Sequence, residues 1–537
     1  MAVVSAAARV WGQDSTNAPA AAKGQDALLD LLIQKGILTQ QEAGKVQAEA
    51  AAMNTNIPAQ MPSSTSTKWI VSPAIKSMEL YGDMRVRYES RTAEDPGGDS
   101  INLQRFRYSL RVGLRGDMFD NFFYGFRLET GSSPRSPWVT FGTSTSSSTA
   151  YYYGPYGKST AGLNVGQLYI GWRPADWMSV TVGKMPNPLF TSTMVWSANI
   201  EPEGAAEQFK YTVGQADFFA NFVQFLYADE NTAPTTSFIG LPDTSKGVFQ
   251  IAWEAGLDYH ITPKLSAKVA STIYSYYGLS RSTATSGTAT SPYYGDPYIG
   301  EGAYGGPNSQ STATPGYITS VYGYSGFGNG STLPGYESVN YPNNQVGLND
   351  LLVLEIPFQV NYKFKGMDAH LFGDYAYNLD GAQRAEAAAQ GYAAYLATLQ
   401  PPVIQGFSAQ TRDVHAYQVG VGIGSDDVEY GPSQGLVYGT GSPKHAWEVR
   451  TYWQHIEQYS LDPNLLDLDF FNGLENLQGI YVAASYAFTG NVIGTFRYGH
   501  ASRINDQLGT GGSSGDIPQI NPVNNYDIYQ ADLTVRF

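Results

Sequence analysis

From Met78 onward, apolar and polar residues alternate with a period of two. Met78, Leu80, Met84, Val86 and Tyr88 fall on one face, and Glu79, Asp83, Arg85, Arg87 and Glu89 on the other. Successive side chains of a strand point to opposite faces, so this pattern predicts a strand with one side suited to lipid and the other to water. The next segment repeats it, with Phe106, Tyr108, Leu110, Val112 and Leu114 against Arg105, Arg107, Ser109, Arg111 and Arg115. After a short turn at 116–120 come Phe122, Tyr124, Phe126 and Leu128 against Arg127 and Glu129.

Counted in this way, strands are expected at 77–90, 103–116, 121–131, 163–173, 177–185, 204–212, 217–227, 247–260, 264–277, 350–365, 367–379, 414–424, 444–457, 477–488, 491–502 and 525–537. That is about sixteen, an even number, as a closed bacterial barrel requires. Their connections alternate between tight turns, such as Lys365-Gly366 and Thr489-Gly490-Asn491, and long segments rich in Gly, Ser, Thr, Tyr or Asn. Short turns on one side and long loops on the other are the asymmetry of an outer-membrane barrel. The count places both chain ends on the turn side, in the periplasm. One connection, 425–443, falls on the turn side yet is as long as several loops, and a hairpin hidden there would make the barrel eighteen-stranded.

Before the strands the periodicity is helical. Leu28, Leu29, Leu32 and Ile33 recur at helical spacing, Gly36 is a stop, and Thr39-Gln40-Gln41-Glu42 reads as a capping box that opens a second helix. This divides the chain into a remnant of a signal peptide at 1–12, a periplasmic helical segment and linker at 13–70, and a transmembrane antiparallel barrel at 71–537. The helical segment is expected to tether or pack in the periplasm, or to join subunits through its Leu stripe. The run of alanines at 382–399 leaves three readings open: a short helix within the long loop, a lid, or filler.

Composition sharpens the picture. Only 15% of residues are charged, against about 25% in ordinary soluble proteins. The balance of 32 Lys plus Arg against 47 Asp plus Glu leaves −15, which argues against nucleic acid as a partner. No run of about twenty apolar residues could form a transmembrane helix, whereas 39 Tyr, 24 Phe and 58 Gly suit a lipid-facing barrel. With no cysteine, the chain offers no disulfide, thiolate metal site or covalent c-type haem attachment of its own.

Several motifs carry a resemblance. Lys184-Met185-Pro186-Asn187-Pro188, then Met194-Val195-Trp196 and Glu201-Pro202-Glu203-Gly204, resemble the putative porin family of Gram-negative bacteria. So do the opening strand Tyr81 to Glu89, the stretch Ala483 to Val492, the aromatic-terminated final strand Ala531 to Phe537, and the preface ending Gly36-Ile37-Leu38-Thr39. The resemblance implies a passive outer-membrane channel, a homotrimer in lipid and lipopolysaccharide, passing small hydrophilic solutes.

The alternation sets Arg85, Arg87, Arg105, Arg107, Arg111, Arg115 and Arg127 on the inner face of three adjacent strands, a basic wall that would concentrate anions. Glu79, Asp83, Glu89 and Glu129 share that face, so the same residues could instead pair and brace the barrel. Farther round, Lys210, Glu254, Asp258, Lys268, Glu355, Lys363, Asp368, Asp374, Glu448, Arg450 and Arg497 add both signs. Glu201 and Glu203 lie at the end of the third long loop. They resemble the acidic side of the constriction loop in general diffusion porins, or else they sit at the rim.

Catalytic chemistry finds no such support. The six histidines show no HExxH spacing, and two GxSxG matches, at 431–435 and 511–515, lie in Gly-rich connections with no strand-to-helix context. Gly154 to Ser159 ends like a phosphate loop but has two residues between its glycines where four are needed. The expectation is therefore a non-enzymatic porin with no cofactor and no metal, in the outer membrane. One alternative is a channel selective for phosphate-like or carboxylate anions. The other is a barrel plugged by its loops, serving as surface adhesin or as sheath for a partner protein.

Overall fold

The computed structural model describes residues 73–131, 133–142, 162–229, 247–277, 351–386, 389, 408–425, 428, 430–439, 443–511, 516, 517, 520 and 522–537. The signal remnant, the helical segment and the linker expected before residue 71 lie outside these. Among the described residues the strands are β1 (Glu79–Glu94), β2 (Ser100–Asp117), β3 (Phe122–Thr130), β4 (Val139–Thr140), β5 (Leu163–Ala175), β6 (Met178–Lys184), β7 (Glu203–Val213), β8 (Ala216–Asp229) and β9 (Gly247–Thr262). They continue with β10 (Leu265–Tyr277), β11 (Leu352–Phe364), β12 (Met367–Asn378), β13 (His415–Ser425), β14 (Trp447–Ile456), β15 (Leu477–Ala487), β16 (Val492–Arg503) and β17 (Asn525–Arg536).

Each wall strand pairs antiparallel with its sequence neighbours, and β1 pairs with β17 from Asp83↔Arg536 to Glu94↔Asn525, so the sheet closes on itself. Closure removes the unpaired edges that a membrane would leave without hydrogen-bond partners. Sixteen strands form the wall. The two-residue β4 extends the place of β3 beside β2, through Arg107↔Thr140 and Tyr108↔Val139. All sixteen strands expected from alternation are present, within a few residues at their ends.

The two faces follow the sequence pattern. Leu80, Met84, Val86, Tyr88 and Phe106 are exposed on the outside, whereas Arg87, Glu89, Arg91 and Arg107 are buried within. Aromatic pairs such as Phe122 with Trp172 and Tyr498 with Tyr529 lie on adjacent strands of the outer surface, where a lipid-facing band needs them. The hairpin between β11 and β12 turns on Lys365 and Gly366, both at positive φ, as a two-residue turn matched to strand twist requires. Between β10 and β11 the ladder skips from Val269↔Phe358 to Thr272↔Glu355, around Pro357, which has no amide hydrogen to donate.

The long turn-side connection now has a physical account. Its described residues form no further strand; Gly431 and Gln434 bridge, Leu436–Tyr438 make one 3-10 turn, and Leu436 and Val437 are buried. It folds into the barrel rather than extending the wall, so the count is sixteen and not eighteen. In the long loop after β12, residues 381–386 are helical, and most of the alanine run at 382–399 lies outside the described residues.

Candidate functional site

Among the described residues, three segments that fold into the barrel frame the spaces inside together with its inner wall. The first is the third long loop, 185–202, between β6 and β7. It crosses to the opposite wall, where Phe190 N–H donates to Glu254 Oε1 (2.8 Å), Thr191 Oγ1 to Glu355 Oε1 (2.6 Å) and Ser192 Oγ to Asp374 Oδ2 (2.5 Å). Three carboxyl groups on β9, β11 and β12 thus hold the tip. Tyr274 also donates to Glu355.

The loop returns to the basic side, where Arg111 Nη2 donates to Asn199 Oδ1 (2.5 Å) and Arg127 Nη2 to Glu201 Oε1 (2.7 Å). Burial pushes the Glu201 carboxyl up, against the pull of Arg127. Glu203 is placed differently. It opens β7, where Gly204, Ala206 and Gln208 face inward, so Glu203 points outward and meets Lys184 at 2.8 Å. Two positions apart, the glutamates would share a face within a strand, but Glu201 precedes β7 and turns inward to Arg127.

The second segment is the loop 457–476. Leu461, Leu465, Leu466, Phe470, Phe471 and Leu474 are buried in a cluster with Tyr452 and Tyr481 of the wall and Met194 and Val195 of the third loop. A backbone bond from Ser197 N–H to Leu465 O ties the two loops together. Asp467 and Asp469 sit on it. Burial and then Asp469 raise the Asp467 carboxyl to about 7. Asp469 itself is held below the usual range, because Arg87 and Arg497 outweigh its desolvation. The third segment is the turn-side insertion, whose Gly431 and Gln434 carbonyls accept from Arg450 at 3.1 and 2.7 Å and whose Val437 carbonyl accepts from Arg497.

The seven arginines separate into three groups. Arg87 bridges Asp532 (2.7 Å) and Asp469 (2.6 Å), Arg105 bridges Glu89 (2.5 Å) and Asp516 (2.8 Å), and Arg107 lies 3.7 Å from Glu89 and donates to Trp138 O. These brace the wall. Arg85, Arg111 and Arg115 line an open space, although Arg85 touches Asp83 (2.5 Å) and Arg115 touches Glu79 (2.8 Å). Arg127 roots the third loop through Glu201 and also meets Glu129 at 2.9 Å. The anionic partners Asp469, Asp516 and Asp532 are hundreds of positions away in sequence, and alternation on the first three strands gave no sign of them.

Among the described residues, two cavities flank Ser433 of the turn-side insertion. The smaller, about 450 Å³, is lined by six arginines, among them Arg85, Arg111, Arg115 and Arg497, against the four carboxylates Glu79, Asp83, Asp467 and Asp469 and the terminal residue Phe537. The larger, about 650 Å³, lies between the loop tip and β5 to β11 and holds both charge signs. Sequence reasoning missed loop 457–476 as a filler of the lumen, although its Leu and Phe content was a usable signal. Among the described residues no cluster of His, Cys, Asp and Glu has metal-binding geometry.

A family model described as "Putative porin" matches residues 98–537. A search of the curated proteins finds no match. Among solved structures, the chain is similar to an anion-selective porin from Comamonas acidovorans, at 10% identity over 86% of this chain and 99% of that one, with a TM-score of 0.38. It is also similar to a mutant Rh. blastica porin, at 10% identity over 86% of this chain and all of the other, with a TM-score of 0.34.

Proposed function

Because the chain belongs to the putative porin family, whose members are channels of the Gram-negative outer membrane, we propose that it passes small hydrophilic solutes and ions by diffusion around the third loop, with a preference for anions. The observation that carries the preference is the smaller cavity, where six guanidinium groups line the space against four side-chain carboxylates. Low-dielectric walls focus the surplus positive potential onto a passing ion. The mechanism needs no turnover. In this reading the turns and residues 13–70 face the periplasm, and the outward apolar band meets lipid and lipopolysaccharide.

A homotrimer is part of the same reading. Glu207 alternates with inward Ala206 and Gln208, so its carboxyl faces outward beside Val180 and Phe222 on neighbouring strands, and one of its oxygens is buried without a partner. A charge on a lipid-facing wall is costly, and β6 next to it is only seven residues long. A neighbouring copy covering β6 and β7 would remove that cost.

The test is the reversal potential across a salt gradient in planar bilayers, repeated with Arg111→Ala and Arg115→Ala. Anion preference that falls in both variants supports the reading, and an unchanged or cation-directed potential refutes it. The second reading, a plugged barrel serving as adhesin or sheath, is favoured by the apolar cluster of loop 457–476 inside the wall.

A further inference from the structure

The larger cavity, about 650 Å³, falls within the roughly 300–1,000 Å³ typical of small-ligand sites. Its most unusual occupant is Lys268 of β10. The ammonium sits 4.2 Å from the ring centroid of Phe190 and 4.9 Å from that of Phe219. Phe190 is fixed there because its amide donates to Glu254. Among the described residues, Lys268 has no ion-pair partner within 4.0 Å. The neighbouring cations are engaged, Lys210 with Asp217 at 2.9 Å and Arg173 with Asp117 at 3.1 Å.

Asp258 stands directly opposite Lys268 in the β9–β10 register and also lines the cavity, yet the two do not pair. The rings hold the ammonium instead. Asn187 also lines this space. Asn187 Oδ1 accepts the Leu189 amide at 3.0 Å, but Asn187 Nδ2 is buried with no acceptor. A ligand oxygen would satisfy that donor once the carboxamide turns into the cavity.

An ammonium and an amide donor, an unpaired carboxylate across the strand and two phenyl rings define one complementary chemistry. We propose that this cavity is a binding subsite for zwitterionic amino acids with an apolar side chain. The ligand carboxylate meets Lys268 and Asn187, its ammonium meets Asp258, and its side chain packs against Phe190 and Phe219. A saccharide fits less well, because it would leave the Lys268 ammonium and the Asp258 carboxylate without charge partners, and two of the lining carboxamides are already committed. Gln359 donates to Tyr430 O, and Asn221 donates to Pro188 O and Glu254. Only the role of this subsite in transport rests on the channel reading; binding does not.

The experiment is saturation-transfer NMR on the full chain in detergent, with phenylalanine as probe and 3-phenylpropionate, phenethylamine and glucose as competitors. Phenylalanine is expected to bind about tenfold or more tightly than either single-charge analogue, one charge-assisted contact being lost in each. Lys268→Met and Asp258→Asn should each weaken it about as much, while Lys268→Arg should restore most of the signal. Heat-modified migration on gels confirms that each variant is folded. Equal binding of 3-phenylpropionate, displacement by glucose, or unaltered binding in folded Lys268→Met would overturn the proposal. Potassium chloride conductance of the same preparations separates the two readings. Conductance without phenylalanine binding overturns only the subsite, and binding without conductance overturns only the channel.

Discussion

Replacing Arg127 with Met should free the root of the third loop. Its guanidinium lies 2.7 Å from Glu201 and 2.9 Å from Glu129, and both members of the Arg127–Glu201 pair are about nine-tenths buried. At an effective dielectric constant near 20, opposite charges at that separation attract by about 6 kcal/mol before desolvation is subtracted. Removing one member of such a pair leaves the other charge buried, at a net cost of ~3–5 kcal/mol. The cost is asymmetric. In Glu201→Gln the guanidinium keeps Glu129 and the loss is about 1 kcal/mol, whereas in Arg127→Met no cation remains within 4 Å of the Glu201 carboxylate among the described residues. The natural chain has no cysteine, so a single Ser197→Cys probe at a fully buried loop position reports opening by its maleimide labelling rate. Arg127→Met should raise that rate about a hundredfold or more, following the population of the released loop, and Glu201→Gln by less than about tenfold. Labelling within a factor of about three of the parent in Arg127→Met would refute the claim that this pair anchors the loop.

Three further outcomes follow from the same contacts. Thr191→Val with Ser192→Ala removes the hydroxyls that bind Glu355 and Asp374, and single-channel records should show larger current fluctuations at unchanged folding yield. Arg450→Met strips the turn-side insertion of its bonds to the Gly431 and Gln434 carbonyls; conductance should rise and the thermal unfolding midpoint should fall, by an amount matching a loss of ~3 kcal/mol. For Asp467 the folded carboxyl titrates near 7 rather than at its ordinary 3.8. Its contribution to loop stability is therefore full below about pH 4 and is lost as pH rises through about 7. Conductance should increase between pH 6 and 8, and Asp467→Asn should flatten that dependence.

Much of the wall was legible because a barrel strand must expose one apolar face and bury one polar face, and period two records both. Leu80, Val86 and Phe106 announced lipid, and Arg85 and Arg107 announced the interior. The interior network was not legible, because strand periodicity gives a face and not a partner. Arg87 finds Asp532 through closure of β1 on β17, and Asp469 through a loop that folds back inside. The basic wall expected from seven arginines is in consequence largely a bracing network, with an open remnant at Arg85, Arg111 and Arg115. Glu201 and Glu203 show the sharpest limit. Adjacent in type and loop, they point to opposite sides of the wall, because β7 begins between them and fixes the alternation. The insertion at 430–439 was visible only as an overlong turn. Its inward path depends on Arg450 and Arg497, which lie on other strands.

The central claim is that this barrel conducts around its inward loop and favours anions while doing so. Single-channel recording of the purified, folded protein in a planar bilayer under a potassium chloride gradient tests it most directly. The account predicts stepwise conductance whose reversal potential lies on the anion side and moves toward zero in Arg115→Ala. A folded preparation that inserts without any conductance steps, or one whose steps reverse on the cation side, would contradict it.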